Sequence, residues 1–370
     1  MNSFLKINLL FFFSLIFSIK MHSQNKPLTI GVIGLTHTHV HWIFNSNNRA
    51  EIDIVGIVEP NKELADRYCT QYDFPRSKVY DTMEALIEAE NPDAVTAFGT
   101  IYDHLKIVET CAPLGIHVMV EKPLAVNLEH ARKMESLAKK HSIHLLTNYE
   151  TTWYPTNHKA YELIKQDTVI GDLRKVIVRD GHKGPKKIGV DPEFLEWLTD
   201  PVLNGGGAVI DFGCYGANLL TWIMEGEKPL SVTAITKQQQ PENNPNVDDE
   251  AIIILNYEDV VAIIQASWNW PIGRKDMEVY GLTGAIYADN RHDLRVRKAT
   301  GYDTFDEESM KLEERKSPYD DPFVFMAGVI KGEIEIPAYD LSSLENNVVV
   351  MEILDAAIRS ATSGQTISLK

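Results

Sequence analysis

Residues 29–44, TIGVIGLTHTHVHWIF, decide how the chain begins to fold. Ile30, Val32 and Ile33 surround Gly31, and Gly34 falls where a buried strand should turn into a helix. A dinucleotide-binding turn would read Gly34-x-Gly-x-x-Gly, with the second glycine admitting a pyrophosphate and the third letting helix pack on strand. Here Thr36 and His39 hold those two places, and His37, His39 and His41 alternate through them. The turn therefore reads as a specialised cofactor turn or as a metal-binding segment. Imidazoles two apart share one side of a strand, but a helix splays them. No acidic cluster in the sequence completes a ligand set, so no metal is expected.

Upstream, Lys6 precedes the apolar run INLLFFFSLIFSI, and small and polar residues follow. The run is shorter than the ~20 residues of a spanning helix. It has the three-part pattern of a secretory leader, assigned to residues 1–24, and export to the periplasm or medium is expected. A net charge of −16 argues against nucleic acid or an anionic membrane as partner. Cys69, Cys111 and Cys214 are odd in number and far apart, which suggests neither a disulfide framework nor a zinc knuckle.

From residue 25 to 147, apolar β-branched runs alternate with helical patterns. The runs are LTIGVIG, IDIVGIVEP, KVY, AVTAFGT, HVMVEKP and IHLLTNY. Alternation of this kind predicts an α/β unit, a doubly wound parallel sheet of Rossmann type whose ligand lies beyond the carboxyl ends of its strands. Residues 148–370 read as an α+β domain. Its strand candidates, from DLRKVIVRDG to DLRVRKA, suggest a mostly antiparallel open sheet with one face packed. The polar stretches QQQPENNPNVDD and GYDTFDEESMKLEERKSPYDD read as surface loops, and SSLENNVVVMEILDAAIRSA as a closing helix.

Four places carry chemistry. Glu59 ends the second strand 25 residues after Gly34, where a carboxylate accepts from the ribose hydroxyls and repels a 2′-phosphate. NAD is thus expected in preference to NADP. Glu121, Lys122 and Pro123 close a strand on the same side, and a lysine there can meet a substrate oxygen or the nicotinamide ribose. In LNGGGAVIDFGCYGANLLTWIM, three glycines open a helix on which Asp211, Tyr215 and Asn218 share one face while the other faces are apolar. An apolar helix is buried, so this polar stripe needs partners. Finally, Glu150, Trp153 and Tyr154 with His182 offer the polar groups and aromatic planes that suit a pyranose ring.

Together these elements resemble the Gfo/Idh/MocA family of NAD(P)-dependent oxidoreductases. The order Gly34, Glu59, His104, EKP at 121–123, WLTDPVLNGGGAVIDFG at 197–213 and VYGLTGAIY matches the family pattern over nearly the whole chain after the leader. The chain departs from it at Thr36 and His39, at Thr100, where the family shows Thr-Pro-Asn, and at Tyr215. Tyrosine replaces the usual catalytic histidine there, as in glucose-fructose oxidoreductase-like members. The resemblance implies hydride transfer between a sugar carbon and nicotinamide, with Lys122, Asp211 and Tyr215 as catalytic residues. Gly34, Leu35, Thr36, His37, Glu59, Thr100, His104, Glu121 and Lys122 would bind the cofactor. Tyr215 would act as base with its pKa lowered by Lys122 and the positive nicotinamide. Two other readings stay open: a redox-neutral, NAD-dependent glycosidase, or a sugar-binding protein that has lost its cofactor. Assembly as a homo-oligomer through the C-terminal sheet is also expected.

Overall fold

The computed structural model describes residues 26–45, 49–165 and 168–369. The leader assigned to residues 1–24 lies outside them. Among the described residues, no helix is long and apolar enough to cross a membrane.

Six strands form the first sheet: β1 (Leu28–Ile33), β2 (Ile52–Val58), β3 (Val79–Tyr80), β4 (Ala94–Ala97), β5 (His117–Glu121) and β6 (Leu145–Asn148). Their order is β3-β2-β1-β4-β5-β6, and every pairing is parallel. Both faces of such a sheet are covered, which is why its strands are short apolar runs rather than alternating ones. Ile30, Val32, Val95, Val118 and Val120 are buried accordingly. The direction of winding reverses between β1 and β4, and this switch point opens a crevice beyond their carboxyl ends. Gly34, Glu59 and Lys122 follow directly on β1, β2 and β5, and Gly99 lies two residues past β4, so all four arrive at that crevice.

The second sheet comprises β7 (Leu173–Gly181), β8 (Ser231–Lys237), β9 (Glu250–Asn256), β10 (Val261–Ser267), β11 (Arg274–Gly281), β12 (Gly284–Ala288), β13 (Asp293–Ala299), β14 (Phe305–Lys311) and β15 (Ile367–Ser368). It runs β14-β13-β12-β11-β7-β10-β9-β8-β15. The β7–β10 pair is parallel and the others antiparallel. On the inner face lies the helix Gly213–Ile223, buried at every residue. The helix Leu344–Ser363 packs beside it, against both β8 and the first domain's helix Leu128–His141.

Two expectations need correction. Residues 301–321, read as loop, contain the edge strand β14, which pairs residue by residue with β13. Its side chains are nearly all exposed, so no apolar alternation marks it. Opposite charges across the ladder accompany the pairing instead, with Arg297 Nε donating to Glu307 at 2.6 Å. The glycine-opened helix is also two helices, Ala208–Asp211 and Gly213–Ile223, broken at Phe212. Lys122 Nζ donates to the Asp211 carbonyl at 3.1 Å, one of the groups that a continuous helix would have kept.

The chain also returns late to its beginning. Phe323, Phe325 and Met326, on the helix Pro322–Ile330, share a buried cluster with Ile30, Val32, Phe98 and Trp153. The late helix thereby closes one face of the first sheet.

Candidate active site

The first turn is built as a close approach of β1 to β4. Gly34 has φ +79°, and a β-carbon there would lie 2.8 Å from the Gly99 backbone nitrogen. Only glycine fits. Glu59 is buried; its two carboxylate oxygens accept from the Leu35 N–H at 3.1 Å and the Asn61 N–H at 2.9 Å. Burial pushes its pKa up, against the pull of those two hydrogen bonds. The acid thus clasps the turn as well as facing the groove. A cavity of about 380 Å³ is lined here by Gly34, Thr36, Glu59, Asn61, Thr100 and Trp197, among others. Leu35 serves through its backbone, its side chain lying in the core. Thr100 caps the following turn, its hydroxyl donating to Asp103 at 2.6 Å.

The residues that replace glycines have found partners. The Thr36 hydroxyl accepts from Trp197 Nε1 at 3.0 Å and lies 3.4 Å from the Phe98 carbonyl, so it is not free to serve a phosphate. His39 Nδ1 donates to Glu121 at 2.8 Å and stacks on Trp42, with ring centroids 3.8 Å apart. Glu121 in turn accepts from Asn148 Nδ2 at 2.7 Å, and Asn148 accepts from Trp153 Nε1 at 3.0 Å. This buried chain ties the first turn to the ends of β5 and β6. His41 points elsewhere, stacking on Tyr68. His104 is fully buried with Nδ1 on the Leu124 carbonyl, and burial takes its pKa down to about 4. It is set back from the groove wall.

His37, His39 and Glu121 form the one cluster among the described residues that could hold a metal, with one ligand atom from each within 4.8 Å of the others. The hydrogen bonds oppose it. The His39 backbone N–H donates to His37 Nδ1 at 3.0 Å, which places the proton of a neutral His37 on Nε2 and leaves that ring no lone pair for a cation. Burial, and the charges of His39 and Lys122, hold His37 neutral, well below its ordinary range.

Lys122, Asp211 and Tyr215 come together as the sequence predicted. Lys122 Nζ is ion-paired with Asp211 Oδ1, and both residues are almost wholly buried. Trp268 Nε1 donates to the other Asp211 oxygen at 2.9 Å. Burial opposes both charges, yet each partner outweighs it: Asp211 is held below the usual carboxylate range and Lys122 above the usual lysine range. Lys122 Nζ lies 5.3 Å from the Tyr215 ring centre. Among the protein's own groups, burial and the negative charge of Glu150 push the Tyr215 phenol well above its ordinary value, so Lys122 by itself does not lower it. Asn218 leaves the polar stripe altogether, donating to the Leu341 carbonyl at 2.8 Å and to Asn346 at 2.9 Å.

The second sheet adds residues that no motif announced. Lys275 on β11 is ion-paired with Glu150, and its ammonium lies 4.7 Å from the Tyr215 ring centre, which the two lysines thus share. Tyr154 donates to the other Glu150 oxygen at 2.5 Å. Burial raises the Glu150 pKa, but Lys275 and these hydrogen bonds bring it down to about 2. Glu150 and Trp153 line a cavity of about 450 Å³ with Trp42, Arg49 and Arg291. His182 accepts from the Gly184 N–H at 3.0 Å, packs edge-on against Phe212, and is lowered to about 4 by burial. Two of the three glycines answer to different neighbours: Gly205 has φ +88° and a β-carbon there would lie 2.4 Å from the Val126 carbonyl oxygen, while Gly207 answers to Asp248. Asp248 accepts from the Gly207 and Val209 N–H groups at 3.0 and 2.8 Å, and a β-carbon on Gly207 would strike its carbonyl oxygen at 1.7 Å. Gly205 thus seats the start of the helix against the first domain, and Gly207 seats it against the segment leading into β9.

Comparison with known proteins agrees with this architecture. Residues 28–149 match the model of an oxidoreductase family with an NAD-binding Rossmann fold, and residues 158–287 match the GFO/IDH/MocA C-terminal domain. Trans-1,2-dihydrobenzene-1,2-diol dehydrogenase of Xenopus laevis is 30% identical over 206 residues, 55% of this chain and 57% of that protein. The Macaca fascicularis enzyme is 25% identical over 227 residues, 61% of this chain and 63% of that protein. The chain thus spans about three-fifths of the length of these curated relatives. Among solved structures, aldose-aldose oxidoreductase from Caulobacter crescentus, complexed with glycerol, superposes with a TM-score of 0.75 at 22% identity, covering 93% of this chain and all of that one. An inositol dehydrogenase homologue from Azotobacter vinelandii, complexed with NAD+, gives 0.79 at 16% identity, covering 93% and 97%. With a parallel NAD-binding domain, a mixed C-terminal sheet and both family models matched in order, the chain belongs to the Gfo/Idh/MocA oxidoreductase family.

Proposed function

We propose that the protein is a dehydrogenase that moves a hydride between NAD and a carbon bearing a hydroxyl group on a sugar or sugar derivative. The observation that carries this reading is the buried Lys122–Asp211 pair set against the Tyr215 ring, at the end of β5 and facing the second sheet. The residues present fit the cofactor. A β-carbon at Gly34 would fill the crevice, Glu59 lines the adjoining groove, and Lys122 stands at the end of β5 as a buried cation. Glu59 at the ribose position favours NAD over NADP.

Bound nicotinamide supplies the hydride acceptor or donor; the protein supplies position and protons. Asp211 fixes Lys122, and Trp268 fixes Asp211, so the ammonium is held charged where it can donate to the reacting oxygen. Tyr215 begins turnover protonated, because burial and Glu150 both disfavour the phenolate. In that state it can give a proton to a carbonyl oxygen when the reaction runs toward the alcohol. The names of the relatives support a polyhydroxyl substrate, since one acts on a vicinal diol and another on aldoses.

Export and self-association belong to the same proposal. The pattern of residues 1–24 supports a cleaved leader, and N-terminal sequencing of the protein from the periplasmic fraction tests it. Exposed Ile235, Ile252, Ile254 and Val261 on the outer face of the second sheet support a homo-oligomer through that sheet. Mass spectrometry of the purified protein, followed by NADH absorbance on a panel of aldoses and ketoses, tests the main reading. Neither bound nor bindable nicotinamide, or no redox change with any sugar, would overturn it.

A further inference from the structure

One buried carboxyl in the site serves none of the roles above. On β7 the alternation places Val176, Val178 and Asp180 on the inner face, while Arg179 turns outward to Glu278. Two buried valines followed by a buried carboxylate is an abrupt change at the end of a strand. Asp180 is 1% exposed, and neither of its side-chain oxygens has a hydrogen-bond partner among the described residues. Its neighbour across the ladder is Lys275, directly opposite on β11. That lysine is the natural partner, yet it is engaged by Glu150 instead. Asp180 is thus left beside the two lysines that flank Tyr215, close enough to Lys275, Glu150 and Lys122 to feel their charges.

Burying a carboxyl without a partner is costly, and folded proteins rarely keep one without a use. Relief by ionisation is disfavoured here, because burial holds Asp180 well above its ordinary range. The two ion pairs nearby, Lys122–Asp211 and Lys275–Glu150, already balance. A neutral carboxyl can both donate and accept, which is what an uncharged hydroxyl requires of it. Glu150, ion-paired with the Lys275 that stands opposite Asp180, lines the cavity of about 450 Å³, and a ligand reaching Asp180 would enter past that pair.

We propose that Asp180 is a substrate-binding residue that hydrogen-bonds a hydroxyl group beside the reacting carbon of an uncharged sugar, and so selects among sugars by configuration there. The inference deepens the dehydrogenase reading and rests on it for the identity of the reacting carbon. Two variants test it: Asp180→Asn, which keeps shape and hydrogen-bonding capacity, and Asp180→Leu, which keeps neither the donor nor the acceptor. Binding of D-glucose, D-galactose and D-xylose to the NAD-loaded protein is measured by titration calorimetry, with melting temperature and NAD affinity measured alongside. Asp180→Leu should melt no lower than wild type, keep its NAD affinity, and bind the preferred sugar at least tenfold more weakly. Asp180→Asn should fall between the two and change KM more than kcat. A folded Asp180→Leu variant with wild-type sugar affinity would overturn the inference and leave the dehydrogenase reading standing. Sugar binding that depends on Asp180 without any change in NADH would do the reverse. Failure of the wild-type protein to bind any of the three sugars would overturn both.

Discussion

Replacing Lys122 by methionine should expose how much of the site's architecture hangs on one ion pair. Lys122 is 6% and Asp211 4% exposed, so neither charge is shielded by solvent. Lys122→Met keeps the length of the side chain but strands the Asp211 carboxylate with Trp268 Nε1 as its remaining side-chain donor among the described residues. Breaking a buried pair by removing one partner costs about 3–5 kcal/mol, a large share of a domain's total stability. The double variant Lys122→Met/Asp211→Leu removes the stranded charge and should recover most of that loss. It leaves the indole N–H unpaired, for which about 1–3 kcal/mol remains lost. The pH dependence gives an independent sign. In wild type the folded pKa of Asp211 lies below its ordinary value, so its contribution is full above the usual carboxylate range and fades as pH falls. The Lys122 contribution, from a raised pKa, is full below the usual lysine range and fades as pH climbs through its folded value. In Lys122→Met the stranded carboxylate prefers its proton, so mild acid should stabilise the variant relative to neutral pH. Urea unfolding followed by circular dichroism measures all three proteins. A Lys122→Met protein as stable as wild type, or one that weakens in mild acid as wild type does, would refute the pairing.

Other outcomes follow from the same geometry. Tyr215→Phe should keep the ring's packing against Tyr149 and Phe212 and leave NAD affinity unchanged, while turnover falls by ~10²–10⁴, as loss of a positioned proton donor does; kinetics on the preferred sugar decide it. Direct titration should show NAD bound at least tenfold more tightly than NADP, about 1.4 kcal/mol, and Glu59→Ala should narrow that gap. The same variant orphans the Leu35 and Asn61 N–H groups, so it should also lower stability by about 1–3 kcal/mol. A chelator should leave turnover unchanged, because His37 Nδ1 already accepts a backbone hydrogen bond; chelator-sensitive activity, restored by added zinc, would assign His37, His39 and Glu121 to a metal instead.

The parts of this molecule legible in its sequence are those governed by neighbours along the chain. Parallel strands buried on both faces must be short apolar runs, and the six runs from LTIGVIG to IHLLTNY could be little else. Lys122, Asp211 and Tyr215 were recoverable because the family pattern places them at strand and helix ends, where the fold brings them together. What escaped depends on register between distant strands. Lys275 meets Glu150 across 125 residues, and Asp180 faces Lys275 only through the antiparallel pairing of β7 with β11. A signal for Asp180 was present in the alternation of Val176, Val178 and Asp180, but reading it required knowing which face was inward. The raised pKa of Tyr215 comes first from burial, which the apolar helix announced, and then from Glu150, whose approach no local pattern shows.

The first turn shows how far distant partners can change what a local pattern means. Judged alone, Thr36 and His39 are bulky residues where a dinucleotide turn wants glycine, and damage to the site is the natural conclusion. In the folded chain Trp197 takes the Thr36 hydroxyl, Glu121 takes His39, and His37 is seated between His39, Phe194 and Trp197. Phe194 and Trp197 come from a helix more than 150 residues away, Pro192–Leu198, which packs over the turn. Gly34, the glycine that the backbone cannot replace, is kept. Thr36 is held by Trp197 of the C-terminal half, and His39 by Glu121 and Trp42 of the first domain, so each half directs one of the two replacements. The turn's shape is therefore a property of both halves together, and substitutions at Phe194 or Trp197 should reach the cofactor groove through Thr36 and His37 before they disturb either sheet.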